Sequence, residues 1–267
     1  MIGFEKDINE FNCPLLTTAI HNGHIIRPQI EEYLLIDEFT RLREEDPFTE
    51  FFINSFQNYL VVNTSRFEVD LNRPPEEAIY RTPEQAWGLN VWKDNVPVSV
   101  WQYSIQEYDF FYNMLKRVID RFIDYWGYII VYDIHSYNYK RDGTEGEEAD
   151  PSENPDINIG TGSLNRKFWG DVVESFTRVV KDSEYNGRKL IVGENVKFKG
   201  GYLGQWIHSQ YPDKSCVLSI EIKKIFMDEW TGAVDIPSIK QLKGILKKTV
   251  EPVLKAAAKV IKTENIH

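Results

Sequence analysis

Between Ser104 and Tyr125 the residues Ile105, Tyr108, Phe111, Leu115, Val118, Ile119 and Phe122 recur at steps of three and four, and the chain then passes into the apolar run Tyr128-Ile129-Ile130-Val131. That spacing predicts an amphipathic helix with one apolar stripe, which must be buried against another layer. A strand following directly makes a sheet that layer. Leu15-Leu16-Thr17-Thr18-Ala19-Ile20, Leu60-Val61-Val62, Lys189-Leu190-Ile191-Val192 and Val217-Leu218-Ser219-Ile220 read as further strands. Arg166 to Lys181 and Ile236 to Lys262 read as helices, the second a long closing one. Alternating strands and helices predict an α/β three-layer sandwich, with a mixed, mostly parallel central sheet flanked by helices. Pro74-Pro75 ends the segment Phe67 to Arg73, because neither helix nor central strand continues through two prolines. Asp46-Pro47 reads as a helix start, with Asp as N-cap and Pro at the first helical position.

No Pro/Gly/Ser-rich linker divides the 267 residues, so residues 1–267 are expected to form one domain. A formal net charge of −10 argues against nucleic acid as a partner, since phosphate binding needs a basic surface. The amino terminus lacks a basic region followed by an apolar one, and no apolar run approaches the length of a membrane span. A cytoplasmic protein with no membrane partner is expected. Cys13 and Cys216 lack the paired spacing of a thiolate metal site and read as buried small residues.

The chemistry collects at strand ends. His135 follows the run Tyr128 to Val131, and a lone histidine there is most simply hydrogen-bonded to its neighbours. Three other strand ends change that weighting by presenting His21, the run Asp70-Leu71-Asn72-Arg73, and Glu221. In α/β proteins ligands gather at the carboxyl ends of strands. Two imidazoles and a carboxylate can hold a zinc ion with a position open to water, and a separate carboxylate can carry the proton. Asp133, two residues before His135, shares its face of the strand and could orient a ligand imidazole, or be a buried acid capping a loop. Asp70 could hold Arg73 or a ligand histidine, or serve a turn. Arg73 carries a guanidinium fork suited to a carboxylate. Lys199-Gly200-Gly201-Tyr202 reads as a turn that brings Tyr202 near a substrate, with Asn195 a neighbouring hydrogen-bonding group. Lys140 to Asn154 is an exposed acidic loop and a candidate lid. His208 reads as a satisfied structural histidine and His267 as disordered.

These residues sit in segments that resemble a known family. Ala19-Ile20-His21-Asn22-Gly23, Ser65 to Pro74, Val131 to Tyr137, Lys199 to Tyr202 and Glu221 to Glu229 are similar, in order, to successive motifs of the N-formylglutamate amidohydrolases. That family in turn resembles the zinc carboxypeptidases, and the resemblance implies a zinc carboxypeptidase-like fold with one zinc ion per chain. It implies His21 and His135 as zinc ligands, Glu221 as general base and acid, and Asn72 with Arg73 as the clamp on a substrate carboxylate or carbonyl oxygen. For the third ligand it implies Asp46, with Glu45 beside it. His24 stands where carboxypeptidases carry a ligand Glu, and is the alternative. The implied activity is hydrolysis of the C–N bond of an N-acyl, above all N-formyl, amino acid with an acidic side chain, such as N-formylglutamate. Two other functions fit the same residues: a peptide or amide hydrolase of this fold with another substrate, and a binding or regulatory protein that has lost catalysis.

Overall fold

The computed structural model describes residues 2–140, 142–143 and 145–264. Its strands are β1 (Phe4–Asp7), β2 (Leu15–Ala19), β3 (Tyr59–Val62), β4 (Ile129–Tyr137), β5 (Ile157–Gly160), β6 (Glu184–Tyr185), β7 (Arg188–Lys189), β8 (Val192–Glu194) and β9 (Ser215–Lys223). Its α-helices are α1 (Pro28–Glu31), α2 (Glu38–Glu44), α3 (Thr49–Ile53), α4 (Val98–Trp126), α5 (Arg166–Asp182), α6 (Tyr202–Gln210) and α7 (Ile236–Glu264). Seven strands form one sheet in the order β1-β3-β2-β4-β9-β5-β8, while β6 and β7 make a separate hairpin. The pairs β2–β3, β2–β4, β4–β9 and β5–β8 are parallel, and β1–β3 and β5–β9 antiparallel. This is the expected mixed, mostly parallel sheet between helical layers.

The period of two along each strand decides which layer a residue meets. On β4, Ile130, Tyr132 and Ile134 pack with Trp169, Val172 and Phe176 of α5 and with Leu242, Ile245 and Val253 of α7. Ile129 and Val131 face the other way, against Phe111, Leu115, Ile119 and Phe122 of α4 and Leu203 and Ile207 of α6. The helical stripe predicted for 104–125 is therefore the buried face of α4, which runs further than predicted at its amino end.

Several local expectations are corrected. β4 does not stop at Val131: it continues through His135 to Tyr137, and all nine residues are buried. Parallel β9 pairs it along its whole length and parallel β2 from Ile130 to Asp133, so polar residues are carried inside the strand. The strand expected at 189–192 is split, with Lys189 ending the β6–β7 hairpin and Val192 opening β8. Asp46 is not a helix N-cap. Its carbonyl accepts from the Thr49 hydroxyl, its amide donates to the His21 carbonyl at 3.0 Å, and α3 starts only after Phe48, which takes a left-handed φ of 68°. Cys216 is buried but Cys13 is partly exposed. His208 is satisfied within α6, near Ser163 Oγ at 2.8 Å and accepting from the Val217 amide at 3.0 Å. His267 lies outside the described residues. Among those described, no helix is long and apolar enough to cross a membrane.

Candidate metal centre and its cavity

The face of β4 that begins with Ile129 and Val131 under α4 continues with Asp133 and His135. On β9 the matching residues are Val217, Ser219 and Glu221, and the register pairs His135 with Glu221. Apolar residues thus end where the helical layer ends, and polar ones take over at the carboxyl ends of the strands. His21 arrives two residues after β2, in the neighbouring position of the sheet.

His21, Asp46 and His135 come together there, each 2–3% exposed, with one potential ligand atom apiece inside a 4.8 Å cluster. Asp46 Oδ2 lies 3.0 Å from His135 Nδ1 and 3.5 Å from His21 Nδ1. Each imidazole is held from behind by a carboxylate. His21 Nε2 donates to Asp70 Oδ1 at 2.7 Å, and His135 Nε2 lies 3.0 Å from Asp133 Oδ2, whose other oxygen accepts from Thr18 Oγ1 at 2.7 Å. That arrangement fixes the ring tautomer and turns Nδ1 of both histidines inward. His21 Nδ1 is then a buried lone pair with no hydrogen-bond partner. An unsatisfied buried acceptor costs about 1–3 kcal/mol, and a cation between these three atoms would satisfy it. Two imidazole nitrogens with one carboxylate oxygen are a donor set that suits zinc.

The charges follow from the same contacts. Burial works to raise the Asp46 carboxyl, but the two histidines outweigh it and hold the group well below the usual carboxylate range. Burial works to lower the His135 pKa, and the carboxylates of Asp133 and Asp46 reverse this and raise it. Glu221 differs from both. Burial pushes it up to about 7, with His135 working against the rise and the carboxylates of Asp46 and Asp133 adding to it. Asp70 is depressed because, against the cost of its burial, it faces the Arg66 guanidinium and His21.

A cavity of about 390 Å³ opens over the cluster, with Asn72, Arg73, His135 and Glu221 in its walls. Asn72 Oδ1 accepts from the Leu203 amide at 3.0 Å, which leaves its Nδ2 near His135 Nε2 at 3.4 Å. Arg73 donates to the Gln85 carbonyl at 2.8 Å and lies 3.7 Å from Asp70, with a quarter of its side chain exposed. The run from Lys197 to Gly201 also lines the cavity. Buried Asn158 pins this run, accepting from the Lys197 amide at 2.9 Å and donating to the Phe198 carbonyl at 2.8 Å. Gly201 has no room for a side chain, since a Cβ there would fall 2.2 Å from the Asn72 amide.

Other predicted site residues lie elsewhere. His24 is engaged by Glu45, which also accepts from Ser65 Oγ, and neither His24 nor Glu45 joins the cluster. Asn195 is spent on Thr161, accepting from its amide and donating to its hydroxyl at 2.8 Å each. Tyr202 turns its ring toward Tyr112, with centroids 5.8 Å apart, and neither residue lines the cavity. Among the described residues of the 140–154 loop, none lines it either. Buried Glu229 holds the near end of that loop, accepting from the amides of Tyr139 and Lys140. Sequence reasoning missed Arg66, which pairs with Asp70 at 2.8 Å, and Lys224, although both fall in the quoted motifs.

The family model described as N-formylglutamate amidohydrolase matches residues 13–227. No match was found among curated proteins. Of solved structures, N-formylglutamate amidohydrolase from Ralstonia eutropha JMP134 superposes with a TM-score of 0.73 at 16% identity, over 98% of this chain and 100% of that one. A gene product of Agrobacterium tumefaciens gives 0.62 at 17% identity, covering 99% and 96%. Carboxypeptidase A from Helicoverpa armigera gives 0.47 at 13% identity, covering 98% and 66%. At such identities the first two likenesses establish the fold, while the match across most of the sequence establishes the lineage. The chain belongs to the N-formylglutamate amidohydrolase family of hydrolases.

Proposed function

We propose that this protein is a zinc-dependent amidohydrolase that cleaves the amide bond of an N-acyl amino acid with an acidic side chain, N-formylglutamate being the representative substrate. The observation that carries the reading is the buried trio His21, Asp46 and His135, with an unsatisfied Nδ1 turned inward and Glu221 in register beside it. His21, Asp46 and His135 would hold the ion, which when bound supplies Lewis acidity toward an acyl carbonyl and toward water. Glu221, raised by burial, is suited to take a proton from the attacking water and return it to the departing amine nitrogen. The water oxygen bonds to the acyl carbon, the C–N bond breaks, and a carboxylic acid and a free amino acid leave. Arg73 offers a permanent positive charge in the cavity wall, and with Asn72 it would orient a substrate carboxylate. The cavity lining also carries Arg66, Lys197, Lys199 and Lys224, which with Arg73 exceed its acids Glu44, Asp46, Asp70 and Glu221 by one, a balance more favourable to an anionic substrate than the chain's net charge of −10.

The test is Glu221→Gln, assayed for formate release from N-formylglutamate beside a panel of other N-acyl amino acids and dipeptides. Zinc content should stay at the wild-type level while turnover falls by about 100-fold or more, the usual worth of a general base. Wild-type turnover with zinc bound would remove Glu221 from the mechanism. Preference for dipeptides would move the substrate class.

A further inference from the structure

His135 lies within β4 and His21 two residues past the end of β2, whereas Asp46 is carried by no strand of the sheet. It lies between α2, which ends at Glu44, and α3, which begins at Thr49. Its reach to both histidines therefore depends on what fixes the turn 43–46. Lys224 lies one residue beyond β9, three after Glu221, and at 1% exposure is among the largest fully buried side chains of the protein. Its ammonium donates to the carbonyl of Arg43 at 2.6 Å and to that of Glu45 at 2.9 Å. The Arg43 carbonyl also accepts from Asn138 Nδ2 at 2.9 Å, just past the end of β4. Lys224 itself is set by its amide, which donates to the Tyr137 carbonyl at 3.0 Å. The same two strands that deliver His135 and Glu221 thus reach across at their ends and grip the segment that delivers Asp46.

A buried ammonium is a costly way to fill space, and its charge would oppose a cation nearby. What it offers is three strong donors on a long stem, able to span two carbonyls two residues apart. We propose that Lys224 is a positioning residue for the metal centre, fastening the Arg43–Glu45 turn to β9 so that Asp46 is held at ligand distance from His21 and His135. This rests on the reading of that trio as a metal site.

The test is zinc affinity, measured by competition with a chromophoric chelator, for wild type, Lys224→Met and Lys223→Met. Lys223 is the control, a buried lysine one residue away whose ammonium contacts Asp156 and the Asn154 carbonyl and does not reach the turn. Lys224→Met should bind zinc about 10- to 100-fold more weakly, as when partners behind metal ligands are removed. Lys223→Met should keep wild-type affinity whatever it does to thermal stability. If Lys224→Met does not fold, Lys224→Gln takes its place, its head being too short to span both carbonyls, and a weakening of about tenfold is expected. Wild-type affinity in a folded Lys224 variant, or equal losses in both lysine variants, would overturn the positioning role alone. A wild type that binds no zinc would overturn that role together with the metal site.

Discussion

Replacing Asp70 with asparagine should cost this protein both stability and metal. The carboxylate is fully buried and surrounded by donors: Oδ1 accepts from His21 Nε2 and from the Asn72 amide, both at 2.7 Å, and Oδ2 accepts from Arg66 at 2.8 Å and from the Tyr80 hydroxyl. An amide has one acceptor and one donor end, so either orientation sets an NH₂ group against existing donors. In either orientation Arg66, a guanidinium that is only 12% exposed, loses its countercharge, and an NH₂ facing it adds a donor against a donor. Removing one partner of a buried ion pair costs about 3–5 kcal/mol. If the NH₂ faces His21, the ring loses the acceptor that turns Nδ1 inward, and partners of this kind are worth about 10- to 100-fold in metal affinity. Urea denaturation of the metal-free protein reads the first quantity, and chelator competition on the folded variant reads the second. The expected result is a loss of about 3 kcal/mol or more in either orientation, joined by a tenfold or greater loss of zinc affinity where the NH₂ faces His21. A variant within about 1 kcal/mol of wild type and with unchanged affinity would refute the claim that Asp70 orients His21.

Two further outcomes follow from named contacts. His208 is held neutral by burial, its pKa pushed down to about 4, and it accepts from the Val217 amide. The unfolded chain, with a histidine pKa of about 6.5, binds more protons between those values, so this contribution is complete above about pH 6.5 and is lost as pH falls toward 4. At about 1.4 kcal/mol per unit it reaches roughly 3 kcal/mol. The stability difference between wild type and His208→Gln, followed across that window, should shrink on acidification, and a constant difference would rule the effect out. Gly201→Ala meets no backbone penalty at its φ of −100°, but its Cβ would strike the Asn72 amide. Such overpacking costs about 1–3 kcal/mol, and kcat/KM should fall while zinc content holds; wild-type kinetics would mean that Asn72 has no positioning role.

Where the amino-acid pattern was informative, it was because burial and periodicity coincided. The stripe of α4 and the cores of β2, β4 and β9 could be read directly, and with them the sheet and its layers. The period of two put Asp133 and His135 on one face, where the structure has them. The ends of β4 and β9 were less legible, since Asp133, Ser136, Ser219 and Glu221 look like strand termini until neighbouring strands cover them. β1, with the sequence Phe-Glu-Lys-Asp, is a charged edge strand with mostly solvated side chains, and β5 is only four residues between turn formers. Asp46-Pro47 carries a capping signature that local propensity cannot distinguish from a residue turned toward distant histidines; the pull of His21 and His135 is tertiary. Lys224 follows Lys223 at the end of a strand, a pair that reads as solvated surface. Only the approach of the Arg43–Glu45 carbonyls reveals it as buried.

The central claim is that His21, Asp46 and His135 form one metal centre, and elemental analysis of untagged protein tests it most directly. We predict about one zinc per chain in wild type, its loss in His21→Ala, Asp46→Ala and His135→Ala, and its retention in His24→Ala. A wild type without zinc, or a metal that survives Asp46→Ala and is lost with His24→Ala, would contradict the account.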